Sequence, residues 1–222
     1  MGSTKAKRPQ VPVTSRRGMP ERKEEAPPST PPVPNGQRRA DAVRNREAIV
    51  AAAVEVLTRK PGAGLGEVAK ASGVTRTTLY AHFRTRDELL EELADRALTN
   101  TVRAIDQALP EAGPADEALL RVLHASWQQV GTHARLLEMI GSALGPRAAE
   151  MHAPVQERLL KLIRRGRRSG AFRRDVRERW LMTTYFTLVH AGGQEVAAGN
   201  ATYDEVEDAL SRLLLGTFRN PC

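Results

Sequence analysis

The chain has 222 residues, a net charge of +8, 14 prolines and one cysteine, Cys222. A single thiol excludes an intrachain disulfide framework and a cysteine-based metal site, and no apolar run reaches the length of a membrane span or a signal peptide; the expectation is a cytoplasmic chain with no membrane partner. The charge is unevenly placed, because residues 1–40 carry nine Lys/Arg, three acids and eight of the prolines, which leaves only +2 for residues 41–222.

Residues 1–40 hold almost no long apolar side chains, so burial cannot offset the entropy of ordering them, and a disordered, basic, Pro-rich tail is predicted. From Ala40 onward the chain is rich in Ala, Leu, Glu and Arg, and no period-2 strand is evident, so the fold class is all-α. A first helix over Arg44–Thr58 places Ile49, Ala53, Val56 and Leu57 at helical spacing, and Pro61-Gly62-Ala63-Gly64 ends it. Leu65, Val68 and Ala69 then lead to Gly73, followed by a helix over Thr75–Phe83. Thr85-x-x-Glu88 has the form of a capping box and opens a long linking helix over 85–108. Pro110 to Pro114 is a breaker cluster, which divides a domain over 41–109 from a second over 110–219. Helices are expected near 116–130, 132–143, 147–168, 175–198 and 203–217, with Pro154 kinking or splitting the third, and Gly170 and Gly199-Asn200 closing the third and fourth.

Residues 65–83 have the requirements of a helix-turn-helix. Ala69 is small enough for a second helix to approach, Gly73 accepts the left-handed angles that begin the turn, and Val74 and Leu79 anchor the second helix to the core. Many helical hairpins share that spacing. What distinguishes this one is the continuation, in which Thr75 is placed as an N-cap and the remaining outward positions offer hydroxyls, a guanidinium and an imidazole. Net charge adds nothing, since residues 41–108 hold ten basic and ten acidic side chains. Nucleic-acid binding therefore requires asymmetric placement, with Arg44, Arg76, Arg84 and Arg86 on one side and Glu88, Glu91, Glu92 and Asp95 directed elsewhere.

The run Gly73-Val74-Thr75-Arg76-Thr77-Thr78-Leu79-Tyr80-Ala81-His82-Phe83-Arg84-Thr85-Arg86-Asp87-Glu88-Leu89-Leu90 closely resembles the signature of the tetracycline-repressor (TetR) family. The resemblance covers about residues 42–95 in pattern, and the later helices only in number, length and order. It implies an N-terminal three-helix helix-turn-helix DNA-binding domain followed by a C-terminal helical ligand-binding and dimerisation domain. It also implies a homodimeric, sequence-specific transcriptional regulator, a repressor released from a pseudo-palindromic double-stranded DNA operator by a small-molecule effector. Carried over by position, Arg76, Thr77 and Thr78 face base edges, while Thr75, Tyr80 and His82 contact phosphates. Arg86 matches a position where the family usually has a phosphate-binding lysine. Arg44 is a further backbone candidate, and Arg38 and Arg39 would reach the minor groove. One departure is Gly64, which stands where the family commonly has a Ser or Thr cap.

In the second domain, Val206, Ala209, Leu210, Leu213, Leu214 and Phe218 form a broad apolar stripe. The preceding helix carries Ala191, Gly192, Gly193, Ala197 and Ala198, which let another helix come close. The resemblance implies that these two helices of each subunit build a four-helix dimer interface; an ordinary intramolecular core is the alternative. His124, Trp127, Met139, Met182, Tyr185, Phe186 and His190 have the composition of an effector cavity, and equally of a helical core. Filling of that space by Trp127, Tyr185 and Phe186 would favour a ligand-independent architectural DNA-binding protein. The basic stretch Lys161–Arg179 reads as a solvated face or linker. His124, His133, Glu138, His152, His190 and Glu195 would have to carry any enzymatic chemistry, but they make no recognised ligand or catalytic spacing, so neither an enzyme nor a metal or cofactor site is expected.

Overall fold

The computed structural model describes residues 35–131 and 134–220 together with Gly2, so the predicted tail up to residue 34, His133 and Cys222 lie outside the described residues. The helices are α1 (Asn35–Arg59), α2 (Leu65–Ser72), α3 (Arg76–His82), α4 (Arg86–Gln107), α5 (Ala115–Gly131), α6 (Ala134–Leu144), α7 (Pro146–Met151), α8 (Ala153–Ser169), α9 (Glu178–Ala198) and α10 (Tyr203–Phe218). The one β-type pairing among the described residues is an isolated antiparallel bridge between Phe172 and Arg219.

The start of the first helix differs from that expected, and of the two outcomes expected at Pro154 the split is the one found. The first helix starts at Asn35, not Arg44, so residues 35–40 are helical and do not continue the tail. Asp41 helps to explain this, since it accepts from Gln37 one turn before it and pairs with Arg44 one turn after it. Pro154 stands in the first turn of α8, where a missing N–H costs nothing, and the helix expected over 147–168 is therefore split at His152 into α7 and α8.

Two cores result. The N-terminal one gathers Ile49, Ala53 and Leu57 of α1, Leu65 and Val68 of α2, Leu79 and Phe83 around α3, and Leu89, Leu90 and Leu93 of α4. Leu136 and Ile140 of α6 complete it, so packing crosses the Pro110–Pro114 boundary. The second core centres on Trp127, Ile163, Phe172, Leu181, Tyr185, Leu214 and Phe218. The Trp127 ring stacks on Tyr203 at 5.3 Å, and its Nε1 donates to the Tyr203 carbonyl at 3.3 Å. The close approach expected at the α9 glycines is made within the chain. A Cβ on Gly192 would lie 2.6 Å from Val206 Cγ1 and 3.3 Å from Trp127, so α9 touches α10 and α5 there.

The basic stretch after Lys161 is largely spent on loop carbonyls and nearby acids. Arg165 donates to the carbonyls of Gly113 and Pro110 at 2.6 and 2.9 Å, and Arg121 donates to those of Ala108, Leu109 and Ala112. These bonds hold the α4–α5 loop, including Leu109 at φ 51°. Arg167 and Arg174 bond carbonyls of the α8–α9 loop and of the end of α8. Phe172 of that loop lies against Gly166 and meets Phe218 edge-on at 5.4 Å, which ties the end of α8 to the end of α10. A Cβ on Gly166 would sit 2.1 Å from the Phe172 ring. Gly166→Ala is therefore expected to displace Phe172 and to destabilise the chain by about 1–3 kcal/mol, measured by chemical denaturation; an unchanged midpoint would show that the ring moves aside freely.

Candidate nucleic-acid interface

The helix-turn-helix is assembled by local bonds. Gly64, in extended conformation, is the N-cap of α2 and has no side-chain oxygen to offer. Glu67 compensates in part, accepting from Gly64 N at 3.1 Å and pairing with Lys60 Nζ at 2.8 Å. Gly73 ends α2 at φ 72°, the left-handed region that the turn requires. Thr75 then caps α3, its hydroxyl accepting from Thr78 N at 3.1 Å. Leu79 is fully buried and Phe83 nearly so, which fixes which side of α3 faces outward.

On the outward side, Thr75, Arg76, Thr77 and Tyr80 are exposed, Tyr80 by 50%, while Thr78 and His82 are half-buried. The Thr78 hydroxyl lies 2.8 Å from that of Thr75. The Arg76 guanidinium lies back over Gly66, about where a side chain at that position would meet it at 3.4 Å. Arg38 and Arg39 are exposed on the first turns of α1, and Arg44, also exposed, pairs with Asp41. Thr75, Arg76, Thr77 and Tyr80 are thus the solvent-facing candidates of α3, with Thr78 and His82 partly covered. Arg86 is placed differently from the expectation of a free phosphate contact. It is half-buried, and its Nη2 donates to the Pro61 carbonyl at 2.7 Å while its Nε donates to the Ala63 carbonyl at 3.4 Å.

Three acids of α4 are engaged within the fold, yet Glu88, Glu91, Glu92 and Asp95 line a shallow groove with His82, so the expectation that they are all directed away from the α3 candidates does not hold at His82. Glu88 accepts from Arg84 N at 2.7 Å, one residue before the N–H that a regular capping box would use, while Thr85 accepts from Glu88 N. Glu91 pairs with Arg147 at 2.5 Å. Glu92 accepts from Arg46 at 2.5 Å and from Arg96 at 2.7 Å, and the Arg46 guanidinium also lies 4.6 Å from the centre of the Phe83 ring. This α1–α3–α4 tie has only a partial trace in sequence, the i,i+4 spacing of Glu92 and Arg96. Burial raises the Glu92 pKa, but the bonds from Arg96 and Arg46 outweigh it and hold the carboxyl below its ordinary value of 4.5.

The seven ligand candidates do not converge. Trp127 and Tyr185 are buried in the second core, where the Tyr185 hydroxyl lies 2.7 Å from Ser126 Oγ and its pKa is pushed up by burial to about 12. Met139 packs against the N-terminal core. His124 is exposed on α5 and pairs with Glu207 at 2.5 Å. Met182, Phe186 and His190 line an open groove with Gln156, Thr187 and Gln194, and Phe186 also meets the buried Tyr185 ring edge-on at 5.8 Å. There the Phe186 ring and the imidazoles of His152 and His190 all meet one another, with the two imidazoles 5.5 Å apart and Phe186 5.7 and 6.3 Å from them.

Residues 49–93 match the profile described as bacterial regulatory proteins, tetR family. Along its length the chain is similar to the HTH-type transcriptional repressor LfrR of Mycolicibacterium smegmatis, 28% identical over 194 residues covering 87% of this chain and 98% of that protein. It is also similar to the HTH-type transcriptional regulator NfxB of Pseudomonas aeruginosa, 27% identical over 188 residues covering 81% of this chain and 97% of that one. The crystal structure of LfrR in complex with proflavine superposes with a TM-score of 0.64, covering 82% of this chain and 99% of that one. The fatty acid degradation regulator FadR of Bacillus halodurans has the same fold at 20% identity, with a TM-score of 0.70 over 76% of this chain and 93% of that one. No helix among the described residues is long and apolar enough to cross a membrane.

The Glu92 bonds have a pH signature. A carboxyl with a lowered folded-state pKa contributes stability that is present above its ordinary value near 4.5 and is lost as pH falls through the lowered value. Glu92→Gln is expected to cost roughly 1 kcal/mol at neutral pH, and to flatten the fall in denaturation midpoint below the ordinary carboxylate range. An unaltered pH profile would remove Glu92 from the interactions that hold α3.

Proposed function

We propose that the chain is a transcriptional regulator of the TetR family, which reads a pseudo-palindromic operator as a homodimer using the outward side of α3. The observation that carries this reading is the division of α3 into a buried Leu79 side and an outward side of Thr75, Arg76, Thr77 and Tyr80. A seven-residue helix so anchored presents its N-terminal end, where free N–H groups and short polar side chains meet phosphates and base edges in a major groove. Arg76 and Thr77 have the reach and donor chemistry for bases, and Tyr80 for the backbone.

Support for the dimer lies on α9 and α10. From Trp180 to Gln194 the chain holds no Lys, Arg, Asp or Glu, yet Trp180, Thr183, Thr187, Ala191 and Gln194 are exposed, Trp180 by 62%. Leu213 of α10 is exposed by 53%. An uncharged, partly apolar face of this kind is what a second subunit covers. Dimerisation also sets two recognition helices about 34–36 Å apart, as successive major grooves require.

LfrR holds proflavine in its crystal structure, which recommends planar aromatic compounds as first effectors to test on this chain. The ligand-independent reading has one observation in its favour, since Trp127 and Tyr185 fill the second core.

Selection of bound duplexes from a random pool, followed by footprinting with and without such compounds, tests all of this. A two-fold symmetric site protected by wild-type protein and released by compound is the expected result. Protection unchanged by every compound favours the ligand-independent reading, and recovery of no preferred sequence overturns specific recognition. On the selected site, Tyr80→Ala is expected to weaken binding across sequences, while Thr77→Ala relaxes preference at one position by about 1–3 kcal/mol. Equal binding by both variants and wild type would move the interface elsewhere. Leu213→Glu is expected to yield monomers in sedimentation and to lose the two-fold footprint; an intact dimer would place the subunit contact on another face.

A further inference from the structure

Arg86 opens α4 directly after the Thr85 cap. A cation waiting for a phosphate would be expected to have its donors in solvent. Here Nη2 lies 2.7 Å from the Pro61 carbonyl and Nε 3.4 Å from the Ala63 carbonyl. The same Nη2 lies 3.4 Å from the thioether sulfur of Met139. Pro61 and Ala63 belong to the turn between α1 and α2, and Ala63 is itself buried, with 1% of its surface exposed. That turn leads into Gly64, an N-cap with no oxygen of its own, so the start of α2 lacks the side-chain acceptor that normally fixes it. Met139 lies on α6, whose Leu136 and Ile140 are buried in the same core as α2 and α3.

We infer that Arg86 is a positioning residue, whose guanidinium clamps the α1–α2 turn to the start of α4 and to Met139 of α6, and which serves DNA binding through that clamp and not through a phosphate. The inference rests on the DNA-binding reading above. The chemistry requires arginine. A planar guanidinium reaches two carbonyls and a sulfur from fixed directions, whereas a lysine is a single point charge that satisfies a phosphate but cannot span this set. Holding the turn holds α2, and α2 carries Ala69 and Gly73, on which the placement of α3 depends. The position of α6 is thereby felt at the base of the recognition motif through one side chain.

The full-length chain tests this with Arg86→Lys and Arg86→Met, titrated against the selected operator duplex over a range of salt. If Arg86 is a clamp, both variants lose affinity about tenfold or more, while the slope of log K against log salt stays that of wild type. A phosphate contact gives the opposite pattern, in which Lys restores binding and Met lowers the slope by about 0.9; that result overturns the inference. A second measurement needs no DNA. Amide exchange at the first turn of α2 is expected to quicken in Arg86→Lys, and unchanged exchange there also overturns the clamp. Failure of Arg86→Lys to fold supports it, because lysine in a solvent-facing phosphate contact leaves the free fold intact. Should wild-type protein bind no duplex, the DNA-binding reading fails, while the exchange measurement still decides where Arg86 acts.

Discussion

A helix of seven residues has no stability of its own, since isolated helices need about 12–15 residues to become even marginal in water. The surface that α3 presents is therefore a property of what surrounds it. Leu79 and Phe83 bury one side, Thr75 fixes its first turn, and Gly73 sets its angle to α2. Arg46, over Phe83 and bonded to Glu92, then binds the end of α3 to both α1 and α4. Remove these supports and the outward residues remain in the sequence but cease to form a surface.

The same dependence runs through the rest of the chain. The N-terminal core is closed by α6 as well as by its own four helices, and α6 also meets α9, where Arg135 donates to the Ala197 carbonyl at 2.8 Å. Beyond it, α9 is pressed against α10 and α5 at Gly192, so the uncharged outer side of α9 rests on a tightly packed inner side. The two cores are joined by packing through α6 even though the α4–α5 loop separates most of their residues in sequence. Arg121 and Arg165 make that loop a fixed joint by satisfying its carbonyls.

Much of the recognition motif was legible in sequence because it depends on short-range chemistry. Gly73, Thr75 and Thr85 do what their positions call for, and Gly64 is the N-cap where a hydroxyl was missing. Long-range partners were not legible. Position shows that Arg86 is cationic and opens a helix, but not that two loop carbonyls lie within its reach. Gly192 and Gly193 announce a close approach without saying to which helix. Pro154 is compatible with a kink or a helix start, and only tertiary context decides. The ligand candidates were grouped by composition, and composition does not distinguish Trp127 and Tyr185, which fill the core, from Met182, Phe186 and His190, which line a groove.

The pairing of the α4 acids with Arg46, Arg96 and Arg147 bears on how the protein would find its site. These acids offset the basic side chains of residues 41–108, so that domain has no net charge with which to hold arbitrary DNA. Residence on random sequence is carried almost entirely by counterion release. A neutral reading head, taken apart from the rest of the chain, therefore makes short, frequent visits and is little delayed on the wrong sequence.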